Sequence, residues 1–184
     1  RLPKSFSGVL LDFGCALGDA LPIYRNYFPS AVLYGLDQSE YAISKCIEHY
    51  GDIATFINGD HTDVPSVDVI IASNVFEHLS SDITVAATLL KKTSVLYIIV
   101  PYREEILCDE HINRYDANYF ASLGRVSTTV FSCKGWSECG PVALWYRVYL
   151  KNVIRALLGR PLRRRSKQIM FSIEGGHNVC RTLD

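Results

Sequence analysis

The sequence predicts an α/β fold, a doubly wound, Rossmann-like and mostly parallel sheet, and three observations predict it. Short apolar runs alternate with helix-like segments through the first two-thirds of the 184 residues. The first of these runs leads straight into a glycine-containing turn and then a helix. Acidic residues stand where the first three runs end, the carboxyl edge at which open α/β sheets bind ligands. Runs that are apolar on both faces and separated by helices imply a parallel sheet covered on both sides.

Taken in order, Gly8-Val-Leu-Leu-Asp-Phe13 is the first strand, and Asp19–Tyr27 the first helix. Ala31–Leu36 is the second strand. Ser39 suits a helix start, Tyr41, Ile43, Ile47 and Tyr50 give that helix its apolar positions, and Gly51 ends it. Ile53–Ile57, Val67–Ala72 and Val95–Val100 are strands three to five, with a helix at Asp82–Lys92 between the last two. After Pro101 a polar loop, Tyr102–Tyr115, carries Glu104, Glu105, Asp109, Glu110 and His111. Long loops in compact domains are often functional. Asp116–Leu123 fits a short helix, Arg125–Cys133 a sixth strand, Val142–Leu158 a helix, and Gln168–Ile173 a last strand. No linker divides these parts, so residues 1–184 are expected to form a single domain. A basic helical insertion at about 142–167 separates its last two strands.

Composition excludes several classes. Hydrophobic residues make up 48% and charged residues 21%, too apolar a balance for a disordered chain. No apolar run approaches the ~18–20 residues of a membrane-spanning helix. The cysteines at 15, 46, 108, 133, 139 and 180 include no CxxC pair, which sets aside zinc-ribbon and thioredoxin-like spacing. They read as buried thiols of a reducing compartment, so a cytoplasmic protein is expected. The formal net charge of zero is a cancellation: residues 1–138 carry 10 basic and 17 acidic side chains, whereas residues 139–173 carry 8 basic and no acidic ones.

The informative stretch is Asp12-Phe-Gly-Cys-Ala-Leu-Gly18. A turn there needs residues without bulk, because a ligand approaches the backbone and the helix N-terminus. Asp37 closes the second strand, where a carboxylate can take both hydroxyls of a ribose, and Asp60 follows the third. A dinucleotide dehydrogenase wants G-x-G-x-x-G, but the corresponding positions are Gly14, Ala16 and Asp19. With Asp12 before the turn and Asp37 and Asp60 behind it, the pattern resembles the class I S-adenosylmethionine-dependent methyltransferases. Ser73-Asn-Val-Phe-Glu-His-Leu79 resembles the "EH" segment of their small-molecule branch, and His111 the histidine that follows strand five there.

The resemblance implies a seven-stranded sheet of order 3-2-1-4-5-7-6 with strand seven antiparallel. It further implies that Gly14, Ala16 and Gly18 pass under the methionine part of S-adenosylmethionine. Asp37 would hold the ribose, Asp60 the adenine amino group, and Asn74 would lie near the transferred methyl. Ala16 stands where the family usually has a glycine.

Histidine is the natural base near neutral pH, and His78 and His111 both fall at carboxyl-end positions, with His111 favoured for its place in the polar loop. Glu77, Glu110 and Tyr115 are its candidate partners. Glu77, His78 and His111 also resemble, in order, metal-binding residues of small-RNA 2′-O-methyltransferases. Asn74 replaces a further acidic ligand of that pattern, and a neutral amide is a weaker ligand for a hard cation, so no metal is expected.

Arg147, Lys151 and Arg155 recur every four residues, and Arg160, Arg163, Arg164, Arg165 and Lys167 follow. That suits a solvated basic edge, or an element lying on an anionic membrane, which would make the protein peripheral to it. Nucleic acid ranks third, since only one region is basic. The function expected is methyl transfer to oxygen or nitrogen of a small molecule or saccharide. The alternative is a non-catalytic cofactor- or partner-binding module of the same fold, with an NAD-dependent dehydrogenase third.

Overall fold

The computed structural model describes residues 2–104, 110–132, 149–160 and 167–176. Strands β1 (Val9–Phe13), β2 (Val32–Asp37), β3 (Thr55–Asn58), β4 (Val67–Ser73), β5 (Thr93–Pro101), β6 (Val126–Ser132) and β7 (Lys167–Glu174) form one sheet. Its order is β3-β2-β1-β4-β5-β7-β6, as expected. The pairs among β1 to β5 are parallel, and β7 runs antiparallel to both β5 and β6. Helices α1 (Ala20–Tyr27), α2 (Glu40–Tyr50) and α3 (Asp82–Leu90) connect the parallel strands, and α4 (Lys151–Leu157) lies between β6 and β7 in sequence.

Burial on both faces explains the continuous apolar strands. In β1, Leu10 packs with Leu21, Ile43 and Cys46 of α1 and α2, whereas its neighbour Leu11 packs with Phe76, Val85 and Leu89 on the other face. Successive side chains of a strand point to opposite faces, so a two-sided cover needs both to be apolar. Each such leucine contributes about 1.5–3 kcal/mol on burial. Because β2 and β4 flank β1 on opposite sides, the order reverses at β1 and opens a crevice at the carboxyl ends of β1 and β4.

The helix α2 starts as expected, with Ser39 Oγ accepting from the Ala42 amide at 3.2 Å. Residues 116–123 differ from the expected helix. Asp116 Oδ1 accepts from the Asn118 amide, and the amides of Tyr119, Ala121 and Leu123 bond three residues back, ending in a 3₁₀ turn at Ala121–Leu123. The tighter winding serves the core: Tyr115 and Phe120 are both buried, and their rings stack at 5.8 Å. The Asp82–Lys92 helix stops at Leu90, with Lys91 as its C-cap. Of the expected helix Val142–Leu158, residues 142–148 lie outside the described residues; α4 ends at a positive-φ Gly159.

The loop after β5 turns back onto the molecule. Tyr102 bridges to Tyr115, and the Arg103 amide donates to the Tyr115 carbonyl. The Ile112 amide donates to the Glu77 carbonyl, and Asn113 Nδ2 donates to the carbonyls of Phe76 and Leu79. Tyr115 Oη donates to Asp82 Oδ2 at 3.0 Å in a buried contact. Removing that donor leaves a buried carboxylate short of a partner, which costs about 1–3 kcal/mol. Tyr115→Phe is therefore expected to lower the unfolding free energy by about that amount in urea denaturation; an unchanged midpoint would show that packing alone holds the loop.

Candidate functional site

The glycine turn departs from β1 with three residues in the left-handed region: Gly14 (φ 74°), Ala16 (φ 46°) and Gly18 (φ 82°). Two of them must be glycine for a second reason. A Cβ on Gly14 would sit 2.5 Å from Val75 Cγ2, and one on Gly18 would meet Tyr50 and Cys46 at 2.9–3.0 Å. The turn is held from the neighbouring strand: the amides of Gly14 and Cys15 donate to the Leu36 carbonyl, and that of Ala16 to Asp37 Oδ2 at 2.9 Å. Ala16 thus fills a glycine-like conformation despite its side chain, and its backbone remains at the crevice wall.

Asp37 is oriented twice over, because its other oxygen, Oδ1, accepts from the Ser39 amide at 2.9 Å. Asn58 Nδ2 donates to the carbonyls of Asp37 and Gln38, tying the end of β3 to the end of β2. Asp60 Oδ1 accepts from both the amide and the hydroxyl of Thr62 at 2.7 Å. The Thr62 hydroxyl, foremost, holds that carboxyl below the ordinary carboxylate range. Both acids therefore stand at adjacent strand ends with fixed orientation, as acceptors for hydroxyl and amino donors.

The crevice has a volume of about 320 Å³, within the range of small-molecule sites. Gly14, Ala16, Asp37, Asp60, Asn74 and His78 line it together. Three other expected residues stand behind the wall. Gly18 packs under the turn against α2. Asp12 is buried in β1 with Tyr24 of α1 as its hydrogen-bond partner, and burial, foremost, pushes its carboxyl up to about 7. His111 sits beside His78, with ring centroids 5.0 Å apart and the planes at 76°.

The partners of the histidines differ from those expected. His111 Nδ1 is bonded to Glu104 Oε2 at 2.6 Å, and Tyr115 is committed to Asp82 instead. Glu110 offers its backbone carbonyl, 3.0 Å from His78 Nδ1. A carbonyl only accepts, so Nδ1 of His78 carries the proton and Nε2 its lone pair. Glu77 is 1% exposed, and its Oε2 has no hydrogen-bond partner. Burial, foremost, raises its carboxyl above the ordinary value, against the charges of His78 and His111. Asn74 takes a left-handed φ of 55°, and its Oδ1 accepts from Gln168 Nε2 at 2.8 Å. Glu104 was legible as part of an acidic loop; Gln168, 94 positions away on β7, carried no local signal.

Residues 11–96 match the model of a family described as a methyltransferase domain. No curated protein sequence matches the chain. Among solved structures, the chain resembles the plantazolicin methyltransferase BpumL in complex with a triazolic desmethylPZN analog and SAH. The TM-score is 0.60 at 20% identity, over 91% of this chain and 76% of that one. It also resembles coclaurine N-methyltransferase bound to N-methylheliamine and SAH, with a TM-score of 0.60 at 13% identity over 90% and 67% of the two chains. A chain from a complex containing the Haloferax volcanii Trm112 methyltransferase activator gives a TM-score of 0.67 at 18% identity, over 97% and 86%. Identities of this size carry the fold. Two of the three structures hold SAH, and the cofactor of the methyltransferase family is S-adenosylmethionine.

The buried Asp12 sets a pH dependence with a definite sign. Its folded value of about 7 lies above the ordinary 3.8, so between those two values the unfolded chain releases a proton that the folded one retains. Stability contributed by this group is full below 3.8 and is lost as pH rises toward 7. Asp12→Asn removes the loss. Urea melts across that window are expected to show the variant gaining on the parent as pH rises, and parallel curves would contradict the assignment.

Proposed function

We propose that residues 1–184 form a single-domain class I S-adenosylmethionine-dependent methyltransferase, with 142–167 as a basic insertion, that modifies oxygen or nitrogen of a small molecule or saccharide. The observation that carries this reading is the pair of oriented acids, Asp37 and Asp60, around a crevice floored by the Gly14–Ala16 backbone. Asp37 holds the ribose hydroxyls and Asp60 the adenine amino group. The Gly14 and Ala16 backbone, which lines the crevice, would face the methionine portion. S-adenosylmethionine, when bound, would supply an electrophilic methyl group, its sulfur keeping the C–S bond electrons as a neutral thioether. The chain's own task is alignment and, where the acceptor is a hydroxyl or ammonium, removal of a proton. That task falls to the group formed by His78 at the crevice wall with His111 and Glu104 behind it. Asn74, fixed by Gln168, presents its amide beside the methyl end.

Calorimetry tests the cofactor reading. S-adenosylmethionine and SAH are expected to bind with one site per chain, and Asp37→Ala to weaken both at least 100-fold, about 2.7 kcal/mol. NAD serves as the competing ligand; tighter binding of NAD would overturn the proposal. A metabolite screen read by mass spectrometry for gain of a methyl group then identifies the acceptor, and binding without turnover would favour a non-catalytic module.

A second reading, a peripheral membrane contact, rests on α4 and its flanks. Val153, Ile154, Leu157 and Leu158 are exposed there, Leu157 at 82%, although the surrounding residues 139–173 hold 8 basic and no acidic side chains. An exposed apolar face among basic residues suits an anionic lipid surface. Arg147 and Arg163–Arg165, part of the same basic segment, lie outside the described residues. The expected result is salt-sensitive co-sedimentation with phosphatidylglycerol vesicles, weakened at least fivefold by the double change Val153→Ser and Leu157→Ser. Equal recovery with neutral vesicles would discard it.

A further inference from the structure

We propose that Lys92 is a positioning residue for the adenine end of the crevice: its ammonium clamps the loop after β3 and so sets the Asp60 carboxylate to select a purine with a 6-amino group. The inference rests on the proposed assignment of Asp60 to the adenine amino group and adds the group that holds Asp60 in place. Lys92 stands at the start of β5 in sequence, 30 positions from Thr62, yet its side chain reaches that residue.

Topology creates the need for a clamp. Helices α1, α2 and α3 lie in the connections β1–β2, β2–β3 and β4–β5, whereas residues 59–66 join β3 to β4 without a helix. Because the sheet order is β3-β2-β1-β4, that stretch has to pass both β2 and β1. A helix satisfies its own carbonyls, but those of a crossing loop need donors from outside it. Val64 anchors the stretch by its side chain, which is buried in the same core cluster as Leu11, Leu36 and Val67. Lys92 anchors it by the backbone: Nζ donates to the carbonyls of Thr62 and Val64, at 2.7 Å each. The half-buried lysine has a fixed base of its own. Its amide donates to the Leu89 carbonyl at the end of α3, and its carbonyl accepts from the Val67 amide at the start of β4.

The clamp reaches Asp60 through Thr62. Asp60 Oδ1 accepts from both the amide and the hydroxyl of Thr62. The Asp60 amide donates to Asp63 Oδ2 at 2.9 Å, and the Asp63 amide to the Asp60 carbonyl at 3.1 Å. These bonds are all local, so they shape the turn without placing it against the sheet. Placement comes from bonds that leave the turn, the Gly59 amide to the Asp37 carbonyl on one side and Lys92 on the other. Gly59 keeps the turn compact, since a Cβ there would sit 2.5 Å from Asp63 Oδ2. With Oδ1 taken up by Thr62, Oδ2 is the oxygen left to accept from a ligand, and Gly59 and Asp60 both line the crevice. A carboxylate oxygen only accepts, so it favours a purine that carries an amino donor over one that lacks it. Moving that oxygen away from the crevice removes the preference and leaves the Asp37 side untouched.

The test compares SAH with its deamino analogue, which carries hydrogen in place of the adenine 6-amino group, by calorimetry on the full-length protein. Lys92→Met keeps the aliphatic stem and removes the donors. It should weaken SAH about tenfold, the net worth of two such bonds, while the deamino analogue stays within about twofold of the parent and reports that the variant is folded. In an Asp60→Ala background, Lys92→Met should cause no further loss of SAH, because its effect runs through that carboxylate. Lys92→Arg, which retains donors for both carbonyls, should recover most of the affinity. Unchanged SAH binding in Lys92→Met, equal weakening of SAH and the analogue, or an additive loss in Asp60→Ala overturns the proposal and leaves the methyltransferase reading standing. A parent protein that binds no SAH strikes that reading instead. Hydrogen exchange at the Thr62 and Asp63 amides, expected to be about tenfold faster in Lys92→Met, then decides the clamp by itself, and unchanged exchange would discard it too.

Discussion

The site depends on a short set of backbone bonds between two adjacent strands. The amides of Gly14 and Cys15 share the carbonyl of Leu36, and the amide of Ala16 reaches the next residue's side chain, Asp37. These three bonds bend the chain away from β1 without letting it pass over the strand ends, which keeps the carboxyl edge of the sheet open. The same bonds orient one oxygen of Asp37, while Ser39 orients the other and at the same time caps α2. A single local arrangement therefore sets the turn, the acid and the start of the next helix. Substitutions there propagate to all three.

The other half of the site is assembled by return of the chain rather than by strand order. The loop after β5 is irregular, yet it is held along its course: Tyr102 and Arg103 at one end, Ile112 and Asn113 in the middle, Tyr115 at the other. Among the described residues, its hydrogen bonds run to the segment from Phe76 to Asp82, within the loop itself and, from the Tyr102 amide, to the Lys167 carbonyl of β7. That is why His78 and His111, 33 positions apart, end with their rings in edge contact. A polar loop so fastened carries its chemistry on a rigid support, as a binding or catalytic constellation requires.

The sheet and the glycine-turn side of the crevice were legible in the sequence because each rests on local signals. Apolar runs such as Val67–Ala72 and Val95–Val100 need burial on both faces, and the turn announces itself by Gly14 and Gly18. Asp37 and Asp60 stand at the ends of their strands, so strand boundaries alone placed them at one edge. What was not legible depends on distant neighbours. Residues 116–123 have the composition of a helix, but anchoring of Tyr115 and Phe120 in the core draws them into tighter turns. The pairing of His111 with Glu104 rather than Glu110 follows from the fold of the loop, and the Gln168–Asn74 bond spans strands β7 and β4. Neither is encoded by spacing.

Among the described residues, backbone strain is distributed in a way that points to the same place. Three residues other than glycine take a left-handed φ: Ala16, Asn74 and Arg103. Each such residue costs on the order of 1–3 kcal/mol, and it persists only where its surroundings over-determine it. Here they do. The Ala16 amide donates to Asp37, the Asn74 amide to the Ile99 carbonyl, and the Arg103 amide to the Tyr115 carbonyl. Ala16 and Asn74 both line the crevice, and Arg103 opens the loop in which Glu104 bonds His111. A fold seeking stability alone would put glycine or a relaxed turn at these positions. The strain thus falls at two residues that line the crevice and at the root of the histidine-bearing loop, with these hydrogen bonds offsetting its cost.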